Sequence, residues 1–227
     1  MKLILKPICL AAILLGAAGA AQAQSAGAWL LKVGATQISP EVTSDGLSAP
    51  SAPGATLNIK PDTELTGSLT YFYTEHCSIE GYFGMPFKHE IQGDGAFAGI
   101  GHLGKVKQVS PTLLAQYRFN PASETVRPYV GAGVTLTHFY GLEGSGALTA
   151  ATNPGGGVPT KITLGSSTKL ALSTQVGFNV KVKEGWFVDA SVMKTFISNT
   201  ANLSTRQSIK MKLDPLSVGF AIGYQFK

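Results

Sequence analysis

Six ionisable residues, Lys32, Glu80, Arg118, Arg127, Lys181 and Asp189, interrupt stretches of chain built from small, polar and apolar side chains in alternation. Two acids and four bases brought to one level could do either of two things. They could move protons, one carboxyl acting as acid and another as base. They could instead neutralise one another in a hydrogen-bonded cluster that satisfies buried charge and closes the space they share. Proton transfer needs company that the sequence does not supply. Ser110 and Ser191 are the candidate nucleophiles, yet no histidine is placed beside either with an acid behind it. His76, His89, His102 and His138 are too dispersed for a compact metal site. His89 and His102 could meet within one loop, but surface positions account for them better. Gly155-Gly156-Gly157 follows no strand-to-helix transition and is no phosphate cradle. The expectation is a non-enzyme without metal or cofactor, in which Glu80 and Asp189 are held by basic neighbours.

The elements that must carry these charges are strands. In the last of them Leu216, Val218, Phe220, Ile222, Tyr224 and Phe226 alternate with Ser217, Gly219, Ala221, Gly223 and Gln225. Strand side chains point alternately to opposite faces, so one face is oily and the other small and polar. The same pattern recurs over residues 29–38, 63–74, 77–87, 110–119, 127–139, 170–182 and 186–196, giving eight segments in all. Each is about ten residues, the length with which a tilted strand crosses hydrocarbon. In the third segment Ile79, Phe83, Met85 and Phe87 form the oily row, against Ser78, Glu80, Tyr82 and Gly84.

In a soluble sheet such rows would be core, whereas in an outer-membrane barrel they meet lipid. The connections favour the second environment. Residues 39–62, 88–106, 140–169 and 197–209 are long and rich in Gly, Ser, Thr and Pro, as exposed loops should be, and they alternate with short turns at 75–76, 120–126 and 183–185. Membrane barrels have this long-and-short pattern, with the short turns periplasmic. An even strand count puts both termini on the periplasmic side. Trp29, Tyr71, Tyr73, Tyr117, Phe119, Trp186, Tyr224 and Phe226 then form one interfacial girdle at that end. The predicted fold is an all-β, eight-stranded antiparallel transmembrane barrel.

Residues 1–23 read as a secretory signal, with Lys2 and Lys6, an apolar run from Cys9 to Ala18, and Ala21-Gln22-Ala23 as a small-x-small cleavage site. Residues 24–227 form the barrel, and the formal charge falls from +5 to +3 when the two leader lysines are removed. No basic run of five or more is present, so nucleic acid is not an expected partner. The mature chain retains only Cys77, so no internal disulfide forms. The expected partners are outer-membrane lipid, small apolar solutes and the barrel assembly machinery, with the chain itself a monomer.

Several stretches resemble the OmpW family of eight-stranded outer-membrane barrels. They are Pro86-Phe87-Lys88-His89, Ser110-Pro111-Thr112-Leu113-Leu114-Ala115-Gln116-Tyr117, Arg127-Pro128-Tyr129-Val130-Gly131-Ala132-Gly133-Val134, Lys212-Leu213-Asp214-Pro215 and Gly223-Tyr224-Gln225-Phe226. The resemblance implies a narrow barrel with a water-poor interior, implicated in passage of small apolar molecules. Lys227 after the terminal aromatic, Leu216 where relatives often carry Trp, and Tyr82 and Met193 where close relatives carry Leu and Trp at a constriction depart from the family pattern.

Eight strands leave a lumen that side chains fill, so a wide aqueous pore is not expected. Strand direction places Lys32, Glu80, Arg118, Arg127, Lys181 and Asp189 in the periplasmic half as a floor, read as a stabilising plug in preference to a selectivity filter. Above it Tyr82, Leu114, Phe139 and Met193 are the candidate lining, either as ordinary barrel filling or as a solute pocket. Pro86 and Pro111 lack a backbone N–H near the outer rim of neighbouring strands. They either open a lateral gap to the bilayer or simply mark strand ends. The functional expectation is passive uptake of small hydrophobic molecules. The rival is a structural, adhesion or receptor barrel that binds phage, bacteriocin or a host surface through its long loops.

Overall fold

The computed structural model describes residues 26–49, 52 and 54–227, so the leader expected over residues 1–23 lies outside the described residues. Among the described residues fifteen strands form in chain order: β1 Trp29–Ser39, β2 Thr43–Ser44, β3 Ala55–Ile59, β4 Asp62–Phe72, β5 Cys77–Gly84, β6 Phe87–Gly95, β7 His102–Val109, β8 Thr112–Arg118, β9 Val126–Gly144, β10 Ile162–Leu164, β11 Thr168–Lys183, β12 Trp186–Phe196, β13 Ser198–Leu203, β14 Ser208–Lys212 and β15 Leu216–Phe226. One short helix, α1 Gly146–Thr152, follows β9, its first turn capped by Ser145 Oγ accepting from Leu148 N.

Eight of these strands close into an antiparallel barrel in the order β11-β12-β15-β1-β4-β5-β8-β9, sealed by pairing of β9 with β11. Closure gives each of the eight strands a partner on both sides, which is what a sheet in hydrocarbon requires. The alternation read from the sequence sets its two faces. Val33, Leu65, Leu113, Leu170, Leu172, Phe220 and Ile222 are more than half exposed, although each lies on a regular strand. An apolar belt of this extent on a folded monomer is a lipid contact. The girdle assembles in register at one end: Trp29 lies opposite both Phe226 and Tyr71, and Trp186 opposite Tyr224. Ring pairs Trp29–Tyr71, Trp186–Tyr224 and Tyr117–Phe119 have centroids 4.8, 5.0 and 5.4 Å apart. Gly34 and Gly133 allow neighbouring strands to close tightly, since a Cβ at either would sit 1.9 Å from a carbonyl oxygen of the adjacent strand.

The long connections are not the exposed loops that their composition suggested. β3, β6 and β7 extend the barrel wall above β9, and β10, β13, β14 and β2 form a second sheet. Leu47, Leu103, Leu148, Ala201, Ile209 and Met211 from these segments are buried in one apolar cluster. The segment 212–215 pins the second sheet to the barrel. Asp214, at φ 26, turns its carboxylate so that Oδ1 accepts from Ile197 N at 2.9 Å, and Leu213 N donates to Ile197 O at 2.9 Å.

A second correction concerns Phe87. Alternation placed it on the oily outer row, but it is buried inside, as is His89 two residues on. The break falls at Pro86, which separates β5 from β6 and cannot donate to a neighbouring strand, and the chain resumes beyond it with inner and outer positions exchanged.

The belt carries a direct stability test. Leu113 stands four residues above Tyr117 of the girdle and is half exposed to lipid. Leu113→Arg should lower the unfolding free energy in vesicles by about 2–4 kcal/mol. Val158→Arg, on an exposed outer connection, should leave it within about 0.5 kcal/mol of wild type. Urea titrations of both variants provide the comparison.

Candidate functional site: a closed floor beneath two apolar cavities

At the periplasmic end the lumen is stoppered by carbon. Ala28, Leu30, Phe72 and Phe187 pack there with almost no exposure. Immediately above lies the charged floor, organised around a single amine. Lys32 Nζ contacts Glu80 Oε1 at 2.7 Å and Asp189 Oδ1 at 3.3 Å, all three buried. The remaining carboxylate oxygens are also used. Asp189 Oδ2 accepts from Tyr129 OH at 2.9 Å and from Asn179 Nδ2 at 2.5 Å. Glu80 Oε2 accepts from Gln116 Nε2, which also donates to Gln175 Oε1 at 2.7 Å. Charges in a site this dry persist only when paired and hydrogen-bonded on every side.

The other predicted floor residues are placed differently. Arg118 is fully buried, yet among the described residues no carboxylate pairs with it: its guanidinium lies 4.7 Å from the Phe72 ring centroid and 5.0 Å from that of Tyr129. Its Nη1 donates to Ser78 Oγ and its Nη2 to Asn179 Oδ1 at 3.5 Å. The ring faces thus take the role expected of an acid. Arg127 ties the turns instead, with Nε donating to Asn120 O at 3.0 Å and Nη2 to Glu75 O at 2.6 Å. Lys181 is only half buried and pairs with no carboxylate among the described residues. Of the six expected floor residues, Lys32, Glu80 and Asp189 form the ion-pair core and Arg118 packs against it.

Above the floor the lumen turns from charge to hydroxyl. Thr36 and Thr66 bond at 2.8 Å, with Tyr82 OH bonded to both. Thr112–Thr135, Thr135–Ser173 and Ser173–Thr195 continue the chain on the opposite wall at 2.8, 2.7 and 2.8 Å. A cavity of about 60 Å³ opens above these hydroxyls, roofed by Ile59, Phe87, Val106, Phe139, Ile197 and Leu213. A second cavity of about 80 Å³ lies beyond it, lined almost wholly by carbon from Leu47, Leu57, Phe97, Leu103, Leu148, Ile162, Ile209 and Met211. Ile59, Val106, Phe139 and Leu213 line both and form the ring between them.

Three of the four predicted lining residues therefore meet a cavity: Tyr82 and Met193 the lower one, Phe139 both. Leu114 does not. It is fully buried opposite Glu80, at floor level. Most of the upper lining was missed because its segments were read by composition as loops. The usable signal was short alternation, as in Ile209, Met211 and Leu213 or Ile162 and Leu164.

Pro86 and Pro111 flank a lapse in the wall. Pairing of β5 with β8 ends at Tyr82–Thr112, and pairing of β6 with β7 begins at Phe87–Gln108. The intervening residues bond to their outer neighbours instead, Met85 N to Leu65 O and Leu136 N to Pro111 O, each at 2.9 Å. Phe83 and Met85 line the lower cavity and are also 53% and 56% exposed on the outer face.

His89, expected at the surface, is buried on β6, above the belt, where its neighbours Lys88 and Glu90 are exposed charges. Its Nδ1 meets Lys60 O at 2.9 Å, and its ring stacks on Phe87 with centroids 6.3 Å apart. Burial lowers its pKa from the ordinary value, outweighing the Lys60 carbonyl and the Asp62 carboxylate, which both raise it.

Two predictions arise from these arrangements. Lys32→Met strands two buried carboxylates and should cost about 3–5 kcal/mol, whereas adding Glu80→Gln and Asp189→Asn should recover most of it in urea unfolding. His89 is held neutral when folded but protonates near pH 6.5 when unfolded, so unfolding takes up a proton as the pH falls. Its contribution is complete above about pH 6.5 and is lost below it. His89→Asn should accordingly flatten the decline in stability between pH 8 and pH 5.

The architecture has counterparts among known proteins. Outer membrane protein W of Vibrio cholerae serotype O1 is 31% identical over 208 residues, covering 90% of this chain and 91% of that protein. The dibenzothiophene metabolism operon protein PahQ of Pseudomonas aeruginosa is 25% identical over 202 residues, covering 87% of this chain and 88% of its own. The crystal structure of outer membrane protein OprG from Pseudomonas aeruginosa superimposes with a TM-score of 0.77 at 23% identity, covering 90% of this chain and 98% of that chain. The OmpW family profile matches residues 25–226, the full span of the barrel with its outer sheets, and the chain is an outer-membrane protein belonging to that family.

Proposed function

We propose that this barrel passively admits small hydrophobic molecules from outside and releases them sideways into the bilayer. The carrying observation is the stack of a carbon-lined upper cavity on a mainly apolar lower one, above a floor that is closed twice over, by the Lys32 cluster and by the Leu30, Phe72 and Phe187 stopper. An apolar solute gains by leaving water for such a lining, at about 25 cal/mol per Å² buried. It gains nothing by crossing the charged floor. The lapse between Tyr82–Thr112 and Phe87–Gln108 is the exit consistent with this, because Phe83 and Met85 belong to both the cavity wall and the lipid face. The relative PahQ bears a name that ties it to the metabolism of an apolar heterocycle, which supports the same reading. The outer segments turn their large apolar side chains inward around the cavity, an arrangement that favours transport over display of a receptor surface.

Uptake of an apolar panel, with and without the gene, is the primary test; equal rates across the panel would remove the transport assignment. Within that assay Phe139→Ala should speed passage of bulky solutes several-fold by widening the ring between cavities. Pro86→Ala combined with Pro111→Ala should slow it by letting the ladder close. Unchanged uptake in the proline double variant would eliminate lateral exit while leaving the cavities as the route in.

A further inference from the structure

The lower cavity is lined by two polar side chains with hydrogen-bonding capacity left over. His89 is 2% exposed and lines the cavity; its Nε2 has no partner. Gln108 is 7% exposed, lines the same cavity and makes no side-chain hydrogen bond among the described residues. Buried polar groups in folded proteins are ordinarily paired, so an unpartnered His89 Nε2 beside a second polar side chain that makes no bond, both facing one cavity, needs an explanation. They are neighbours by register. His89 lies opposite Val106 and Phe87 opposite Gln108, so the two side chains share the inner face on a diagonal of the β6–β7 ladder. Side chains so related are roughly 7–8 Å apart at their bases and can reach a common atom.

The chemistry of the pair is defined by the Lys60 carbonyl. A carbonyl only accepts, so the Nδ1 that meets it carries the ring proton, and Nε2 of the neutral imidazole presents a lone pair. Burial favours that neutral ring. His89 is therefore an acceptor seeking a donor, while the Gln108 amide can donate to an oxygen lone pair. One small group satisfies both at once: a hydroxyl, giving its proton to Nε2 and accepting from the amide. A hydrocarbon satisfies neither, and a charged headgroup would be stranded among Phe87, Val106 and Phe139.

We propose that His89 and Gln108 form a headgroup subsite that selects uncharged apolar molecules bearing a terminal hydroxyl, alcohols or phenols, over plain hydrocarbons. The tail of such a molecule would point through the ring of Ile59, Val106, Phe139 and Leu213 into the upper cavity. The assignment rests on the reading of the cavities as a solute path.

Protein in lipid nanodiscs, labelled at histidine nitrogen and at valine and leucine methyls, separates the two claims. It is titrated with 1-octanol and with octane at matched mole fraction in the lipid. Both compounds should shift the Val106 and Leu213 methyls, and only 1-octanol should shift the His89 Nε2 resonance. The 1-octanol preference, taken as the ratio of the two affinities, should fall on the order of fivefold in Gln108→Leu and in His89→Phe. Methyls that respond to both compounds beside an Nε2 that responds to neither would overturn the subsite and leave the solute path standing. Methyls silent to both would overturn the path and the subsite together. The wild-type titration decides between these outcomes even if a variant fails to fold.

Discussion

Hydrocarbon offers no water to a peptide group, so each N–H and C=O of a spanning strand must find another strand. Everything else in this molecule is arranged around that demand. β1 and β15 meet along eleven residue pairs and β9 and β11 along thirteen, which joins the chain's first and last strands and closes the wall. Where the demand relaxes, above the middle of β5 and β8, two prolines that cannot donate occupy the break. The lapse sits where the wall rises towards the outer rim, and unpaired backbone is cheapest where water or protein can reach it. Wall and lapse are thus two outcomes of one rule.

Closure also dictates what the inside can be. Eight strands leave no room for a water column, so inward polar side chains must be satisfied chiefly by one another. The lumen meets this condition in layers. Carbon meets carbon at the periplasmic end, one amine serves two carboxylates above it, and hydroxyls then bond to one another in a chain. Above the hydroxyls the packing opens into the two cavities.

Much of the barrel was legible because a strand repeats every two residues and lipid leaves one row oily. The girdle and the inward position of Lys32, Glu80 and Asp189 were readable from that period alone. What escaped has a common physical source. Phe87 exchanged faces because proline removes a ladder bond, and alternation carries no information across such a break. Arg118 was assigned to an acid because charge was counted without its aromatic neighbours, Phe72 and Tyr129, which come from other strands. Leu47, Leu103 and Leu148 were passed over because glycine and serine around them resemble solvent-facing chain. Burial in those segments depends on a second sheet that no single segment announces.

The two seals at the periplasmic end differ in kind. One is electrostatic and resists hydrocarbon; the other is greasy and resists ions. Barriers of opposite chemistry placed in series reject different solutes, so what one admits the other excludes. A substitution that opens one layer therefore leaves the other still across the lumen, while the upper chamber lies outside both.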